Sequence, residues 1–148
     1  LDNNPSLKIV CTGAPFTAAE LKQFAGWNIS DRMRHISAND AQMASLYRHA
    51  LCFVFPSLYE GFGIPILGAF SNNCPVCLSN ASCFPEVAGD AALYFAPHDA
   101  QSMCDTLREV IASETLREEL RHRGSERIKD FSLQKMVQQT CDVYRNVL

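Results

Sequence analysis

The stretch that most limits what this chain can fold into runs from Phe53 to Pro85, FVFPSLYEGFGIPILGAFSNNCPVCLSNASCFP. It continues Leu51 and Cys52, so a wholly apolar run, Leu51-Cys52-Phe53-Val54-Phe55, ends at Pro56. A short apolar run without polar alternation suits a parallel strand covered on both faces. A tight glycine pair follows, Gly61 and Gly63, with Pro65 two residues on. Proline fits a helix's first turn, where its missing N–H would have gone unpaired anyway. Ile66, Leu67, Ala69 and Phe70 supply an apolar helix surface, and Val76-Cys77-Leu78 reads as a second buried strand. Strand, glycine loop, helix and strand place free backbone N–H groups and the positive end of a helix at the carboxyl edge of a sheet. That arrangement is an anion site, and phosphate is the anion it suits best.

The rest of the chain continues the alternation. Leu7–Cys11 is expected to be a strand, followed by a capping box at Thr17-Ala18-Ala19-Glu20 with Leu21 and Phe24 as the apolar side of a short helix. Met33–Ser37 reads as a poor strand, because Arg34 and His35 interrupt it. Asn39 is placed to cap a helix whose Met43, Leu46, Tyr47 and Ala50 fall on one face. Pro85 and Val87 read as a helical turn, and Ala92–Phe95 as a last strand. Asp99 then caps a helix with Met103, Leu107, Val110 and Ile111 on one side; Leu116 and Leu120 mark another. Leu133, Met136, Val137, Tyr144 and Val147 mark a third. The fold class expected is α/β: a parallel sheet with helices on both faces and a helical C-terminal tail.

Composition narrows the function. A length of 148 residues suits one domain, and a net charge of −3 (Lys+Arg 13, Asp+Glu 16) without a basic block argues against nucleic acid as a partner. No run of about 18 apolar residues is present, so no transmembrane segment is expected. Seven cysteines, an odd number scattered through apolar segments, suit reduced core thiols of a cytoplasmic protein. Cys74-Pro75-Val76-Cys77 spells C-x-x-C, but it opens a buried strand instead of a strand-to-helix turn, and no second pair accompanies it. The four histidines lie far apart without metal-ligand spacing, so no metal and no cofactor is expected.

Glu60 stands at the carboxyl edge just before the glycines. It reads as an exposed loop carboxylate, as one satisfied by a helix N-terminus, or as a functional group facing the crevice where ligands of such sheets bind. Ser57-x-x-Glu60 imitates a capping box, yet the glycines and Pro65 put the helix start later. Gly61-Phe62-Gly63 begins a dinucleotide fingerprint that Ile66 breaks.

PSLYEGFGIPILGA, followed by CPVCLSNASCFPEVAGDAALYF, resembles the donor-binding domain of a group 1 (family 4) glycosyltransferase. LKIVCTG, ASLYRHALCFVFPS and the terminal FSLQKMVQQTCDVYRNVL extend the resemblance over nearly the whole chain. The resemblance implies a retaining enzyme of carbohydrate biosynthesis with two Rossmann-like lobes (a GT-B fold) that uses a nucleotide-diphosphate sugar. It implies that Glu60 faces the donor sugar near the reacting centre. It also implies that Gly61, Phe62, Gly63 and Ile64 offer backbone N–H groups to sugar hydroxyls and diphosphate. Residues 1–148 are then most of a C-terminal nucleotide-sugar-binding domain, and the N-terminal acceptor lobe is a partner outside this chain. On that view the fragment alone is inactive, and the whole protein is a hexosyltransferase located in the cytoplasm or peripherally at the inner face of the membrane.

Three departures qualify the likeness. The family's second glutamate, which holds the nucleotide ribose, falls on Gly68. The strand expected before Leu7, with its basic clamp for the diphosphate, is not in these residues. His35-Ile36-Ser37 replaces a more apolar, glycine-containing end of the nucleobase-side loop. A second class of function therefore stays open: a non-catalytic module that binds a sugar nucleotide or a partner and has kept the scaffold.

Overall fold

The computed structural model describes residues 6–147. The chain divides into two compact units, one running to Met43 and one from Ala44 onward. The first holds strand β1 (Ile9–Thr12), helix α1 (Ala18–Gly26) and strand β2 (Met33–Ile36). β1 and β2 are parallel, with Ile9 opposite Met33 and Thr12 opposite Ile36. The ladder is entered where the Ile9 N–H donates to the Arg32 carbonyl at 2.9 Å, so β1 begins two residues later than the apolar run suggested. At α1 the capping box forms: Glu20 N–H donates to the Thr17 hydroxyl at 3.3 Å, and Thr17 N–H donates to the Glu20 carboxylate at 2.7 Å. The His35 ring lies against the Gly13 carbonyl, with Nε2 2.9 Å from the oxygen.

The division between the units falls within helix α2 (Asp40–His49). Asn39 caps this helix through its side chain, which accepts from Gln42 N–H at 3.0 Å, and Gln42 returns the bond to Asn39 N–H at 2.9 Å. The second unit continues with β3 (Phe53–Phe55), α3 (Ile64–Ser71), β4 (Val76–Ser79), α4 (Phe84–Ala88) and β5 (Ala92–Phe95). Helices α5 (Ala100–Ala112), α6 (Glu114–Arg127) and α7 (Leu133–Val147) complete it. Its three strands are all parallel in the order β3-β4-β5. Each connection therefore crosses over through helix, as parallel pairing requires. Leu51 and Cys52 stay outside β3 because the ladder with β4 opens at Phe53, whose N–H reaches the Pro75 carbonyl at 2.8 Å.

Helices cover both faces of this sheet. On one, Cys77 and Phe95 bury against Val110 of α5 and Leu120 of α6, with Val54 and Leu93 beside them. On the other, Phe53 meets the Tyr47 ring edge-on at 5.3 Å, and Phe55 meets Phe84 at 5.1 Å. Ile66 and Phe70 of α3 are buried as well. Central β4 is buried along its whole length, whereas β3 is only half-buried. All seven cysteines are free thiols, with Cys74 and Cys77 in the core. Burial pushes the Cys74 thiol up to about 12. A hydrogen bond with Cys52, together with burial, raises Cys77 further. Both remain protonated at neutral pH, and thiols in that state are poor nucleophiles.

The three C-terminal helices differ in how they are held. Asp99 caps α5 by accepting from Gln101 and Ser102 N–H groups, and Ser113 caps α6 by accepting from Leu116 N–H. Arg117, buried, closes the other end of α5 by donating to the carbonyls of Val110 (2.6 Å) and Ile111 (2.7 Å). That places a cation where the helix dipole favours one. α7 forms at the expected position, but Leu133, Met136, Val137, Tyr144 and Val147 are all exposed. The apolar stripe has no cover among the described residues.

α6 packs on α3 through Gly124, where an added Cβ would lie 2.7 Å from Cδ1 of buried Phe70. Alanine inside a helix is worth about 1 kcal/mol over glycine. Overpacking a tight core costs about 1–3 kcal/mol. The second effect wins when the blocking ring is fully enclosed, as Phe70 is. Gly124→Ala is expected to lower the urea unfolding midpoint, and an unchanged or raised midpoint would show that the Phe70 ring has room to move.

Candidate donor-binding site

The site is built where the carboxyl ends of β3 and β4 release their loops side by side. Ser79, the last residue of β4 and fully buried, donates its hydroxyl to the Ser57 carbonyl just past β3. Ser57 in turn donates to the Glu60 carboxylate (Oε1) at 2.8 Å, with the Tyr59 carbonyl 3.3 Å from the same hydroxyl. From the opposite loop, Ser82 donates to the Glu60 carbonyl at 2.8 Å, and its oxygen lies 3.3 Å from Glu60 N as acceptor. The Cys83 thiol points at the same carbonyl from 3.3 Å. Glu60 is thereby fixed at its main chain and at one carboxylate oxygen.

Beyond Glu60 the chain turns through Gly61-Phe62-Gly63 into α3. Gly63 is the N-cap and adopts a left-handed backbone, φ +91°. An added Cβ there would lie 2.9 Å from Ile66 Cδ1 and 3.2 Å from Phe84 Cε1, so both conformation and space select glycine. Ile66 N–H closes the first turn onto the Gly63 carbonyl at 2.9 Å. Among the described residues no hydrogen bond engages the N–H groups of Gly61, Phe62, Gly63 or Ile64. Pro65 has no donor to contribute. These free N–H groups, at the positive end of a helix, can hold an anion.

The loop is braced on its far side as well. The Phe62 ring meets Phe131 edge-on at 5.8 Å, and the Arg127 guanidinium lies 4.9 Å over the Phe131 ring. Arg127 also donates to the carbonyls of Glu86 (2.6 Å) and Val87 (3.0 Å) and to the Asp130 carboxylate (2.6 Å). One arginine thus ties the Pro85-Glu86-Val87 turn and, through Phe131, the glycine loop to the end of α6.

Glu60, Gly61, Phe62, Gly63 and Ile64 therefore share one loop. Gly68 lies one turn further along α3, and the position of its missing Cβ faces the Tyr47 ring at 3.2 Å. The room that glycine leaves is taken up by that ring, itself buried. Ser79, Ser82, Cys83 and the Arg127–Phe131 stack also belong to the site, and no local sequence pattern announces them. Ser82 is 22 residues from Glu60. Only the parallel pairing of β3 with β4 brings the two loops together.

Comparison with known proteins shows the family and the fold. The sequence profile described as "Glycosyl transferases group 1" matches residues 1–129. The chain belongs to the group 1 glycosyl transferases. It is 39% identical over 106 residues to O-antigen chain mannosyltransferase B of Escherichia coli, a match covering 72% of this chain and 28% of that protein. It is 31% identical over 132 residues to the MMP alpha-(1->4)-mannosyltransferase of Mycolicibacterium hassiacum, covering 86% of this chain and 32% of the relative. The chain thus spans less than a third of either relative. The crystal structure of Anabaena HepE in complex with UDP superimposes with a TM-score of 0.80 at 17% identity, over 97% of this chain and 42% of that one. At that identity the likeness establishes the fold: α/β, Rossmann-like, of the GT-B kind.

The two loop glycines make a paired test. Gly63→Ala meets both a left-handed backbone and a filled site, so a loss of about 2 kcal/mol or more is expected. Gly61 has nothing within 4 Å of its Cβ position and no positive φ, so Gly61→Ala should leave stability within about 0.5 kcal/mol. Calorimetric melting temperatures decide the matter, and equal effects at the two positions would contradict this account of the loop.

Proposed function

We propose that this chain is the donor-binding lobe of a retaining glycosyltransferase that moves a hexose, mannose, from a nucleotide-diphosphate sugar to an acceptor. The observation that carries the proposal is Glu60, clamped beside four unengaged N–H groups at the start of α3. A diphosphate seated on those groups and on the helix dipole has its growing negative charge met as the glycosidic bond breaks. The Glu60 carboxylate then lies on the sugar side, where it stabilises positive charge developing on the ring. Mannose is supported by the names of the relatives, of which the E. coli and M. hassiacum proteins are both mannosyltransferases.

The acceptor belongs to a second lobe of the whole protein. Two features support that reading: the small share of the relatives' length that this chain covers, and the uncovered apolar stripe of α7. Closing two lobes over the donor excludes water and sets the attack geometry, which one lobe cannot do. No described helix is long and apolar enough to cross a membrane. The location proposed is the cytoplasm, either free or peripherally at the inner face of the membrane.

The test uses the full-length protein with nucleotide-diphosphate mannose and NMR of the product's anomeric centre. Transfer with retention is expected, and Glu60→Gln should lower kcat by about 10²–10³-fold, the cost of losing a preorganised electrostatic group. Residues 1–148 alone should give no transfer. Full activity of a folded Glu60→Gln protein would remove Glu60 from the reaction, whereas no transfer by the unmodified full-length protein would favour a binding module instead.

A further inference from the structure

We infer that Ser82 is a positioning residue for Glu60, and that its hydroxyl, reaching across from the loop after β4, sets where the carboxylate stands. The inference rests on the reading above that Glu60 meets the donor sugar. The Ser82 hydroxyl serves both backbone groups of one residue, donating to the Glu60 carbonyl at 2.8 Å and accepting from its N–H at 3.3 Å. A side chain that bonds both main-chain groups of one residue fixes that residue's height and tilt together. Ser57 holds the carboxylate end at 2.8 Å, so the direction of the side chain is fixed once the main chain is.

Two further facts mark the contact as more than loop packing. Ser82 has φ +52°, in the left-handed region that an L side chain enters only at a cost in free energy. Glycine would relieve that cost, yet serine stands there and its hydroxyl is engaged. Backbone strain kept beside a candidate reacting group points to a use for the side chain that demands it. The second fact is how few contacts fix Glu60 itself, since the Phe62–Phe131 contact and Arg127 brace the glycine turn beyond it. Leu58, Tyr59, Phe62 and Ile64 are all exposed, so apolar burial does not fix its position. Polar contacts to Ser57, Ser82 and Cys83 carry that task, and Ser82 makes two of them.

The experiment compares Ser82→Gly and Ser82→Ala in the full-length protein. Glycine removes the hydroxyl and the strain; alanine removes the hydroxyl and keeps the strain. Ser82→Gly should melt no lower than the unmodified protein, while Ser82→Ala melts lower. Both should speed hydrogen exchange at the Glu60 amide by about tenfold, the loss of one modest hydrogen bond. Both should lower kcat with nucleotide-diphosphate mannose by about 10–100-fold, as expected for a misplaced group, with KM changed less than about twofold. A loss of kcat in Ser82→Gly alone would assign the effect to backbone freedom and overturn the inference. So would unchanged Glu60 exchange in both variants. If the unmodified protein transfers no mannose, the functional proposal fails for that donor, and the exchange comparison still decides whether Ser82 holds Glu60.

Discussion

The candidate site depends on the short parallel ladder between β3 and β4. Phe53, Val54 and Phe55 lie opposite Val76, Cys77 and Leu78, so the two strands end at the same level and release their loops together. An antiparallel pair would have sent those loops to opposite ends of the sheet. Parallel pairing needs a crossover, and α3 is that crossover, so the helix must start at the same edge. The free N–H groups at Gly61–Ile64 and the serines past β4 are therefore neighbours by topology. The ladder is secured from within, because β4 is wholly buried and its last residue, Ser79, ties the start of the next loop at Ser57.

Most of the scaffold was legible because its instructions are local. The capping box at Thr17 and Glu20, the cap at Asp99 and the strand Ala92–Phe95 each sit within a few residues of the pattern that announces them. The late helix start was legible for the same reason, since Gly63 and Pro65 restrict the backbone whatever surrounds them. What escaped were contacts between distant segments. Nothing within reach of Ser82 in sequence indicates that its hydroxyl will meet Glu60. Nothing around Arg127 indicates that it will hold the Pro85-Glu86-Val87 turn from 40 residues away. Strand ends escaped too, at Leu7 and Leu51, because an apolar run can outlast the ladder that pairs it.

Two left-handed residues flank the candidate carboxylate, and they are left-handed for different reasons. Gly63 could not carry a side chain, for Ile66 and Phe84 close the space. Ser82 carries one and engages it on Glu60. One position is selected by exclusion and the other by a bond, so the same backbone conformation is kept at unlike costs. The glycine belongs to the packing of α3 against α4, and the serine belongs to the orientation of Glu60.

Gly68 extends that distinction to the departure from the family pattern. A glutamate there, holding a ribose, is what the resemblance leads one to expect, and its loss first reads as a lost contact. In the fold the vacated volume is not open: the Tyr47 ring lies 3.2 Å from the Cβ position, buried and packed edge-on against Phe53 at 5.3 Å. Tyr47 belongs to α2 and Phe53 to β3, so the ring joins helix to strand over the place where α3 is smallest. Any side chain at residue 68 must first move that ring. Glycine in mid-helix costs about 1 kcal/mol relative to alanine. Fully burying an aromatic ring returns about 1.5–3 kcal/mol. An added Cβ at residue 68 would press on the ring that packs against Phe53, so Gly68 and Tyr47 fit each other across α3, α2 and β3.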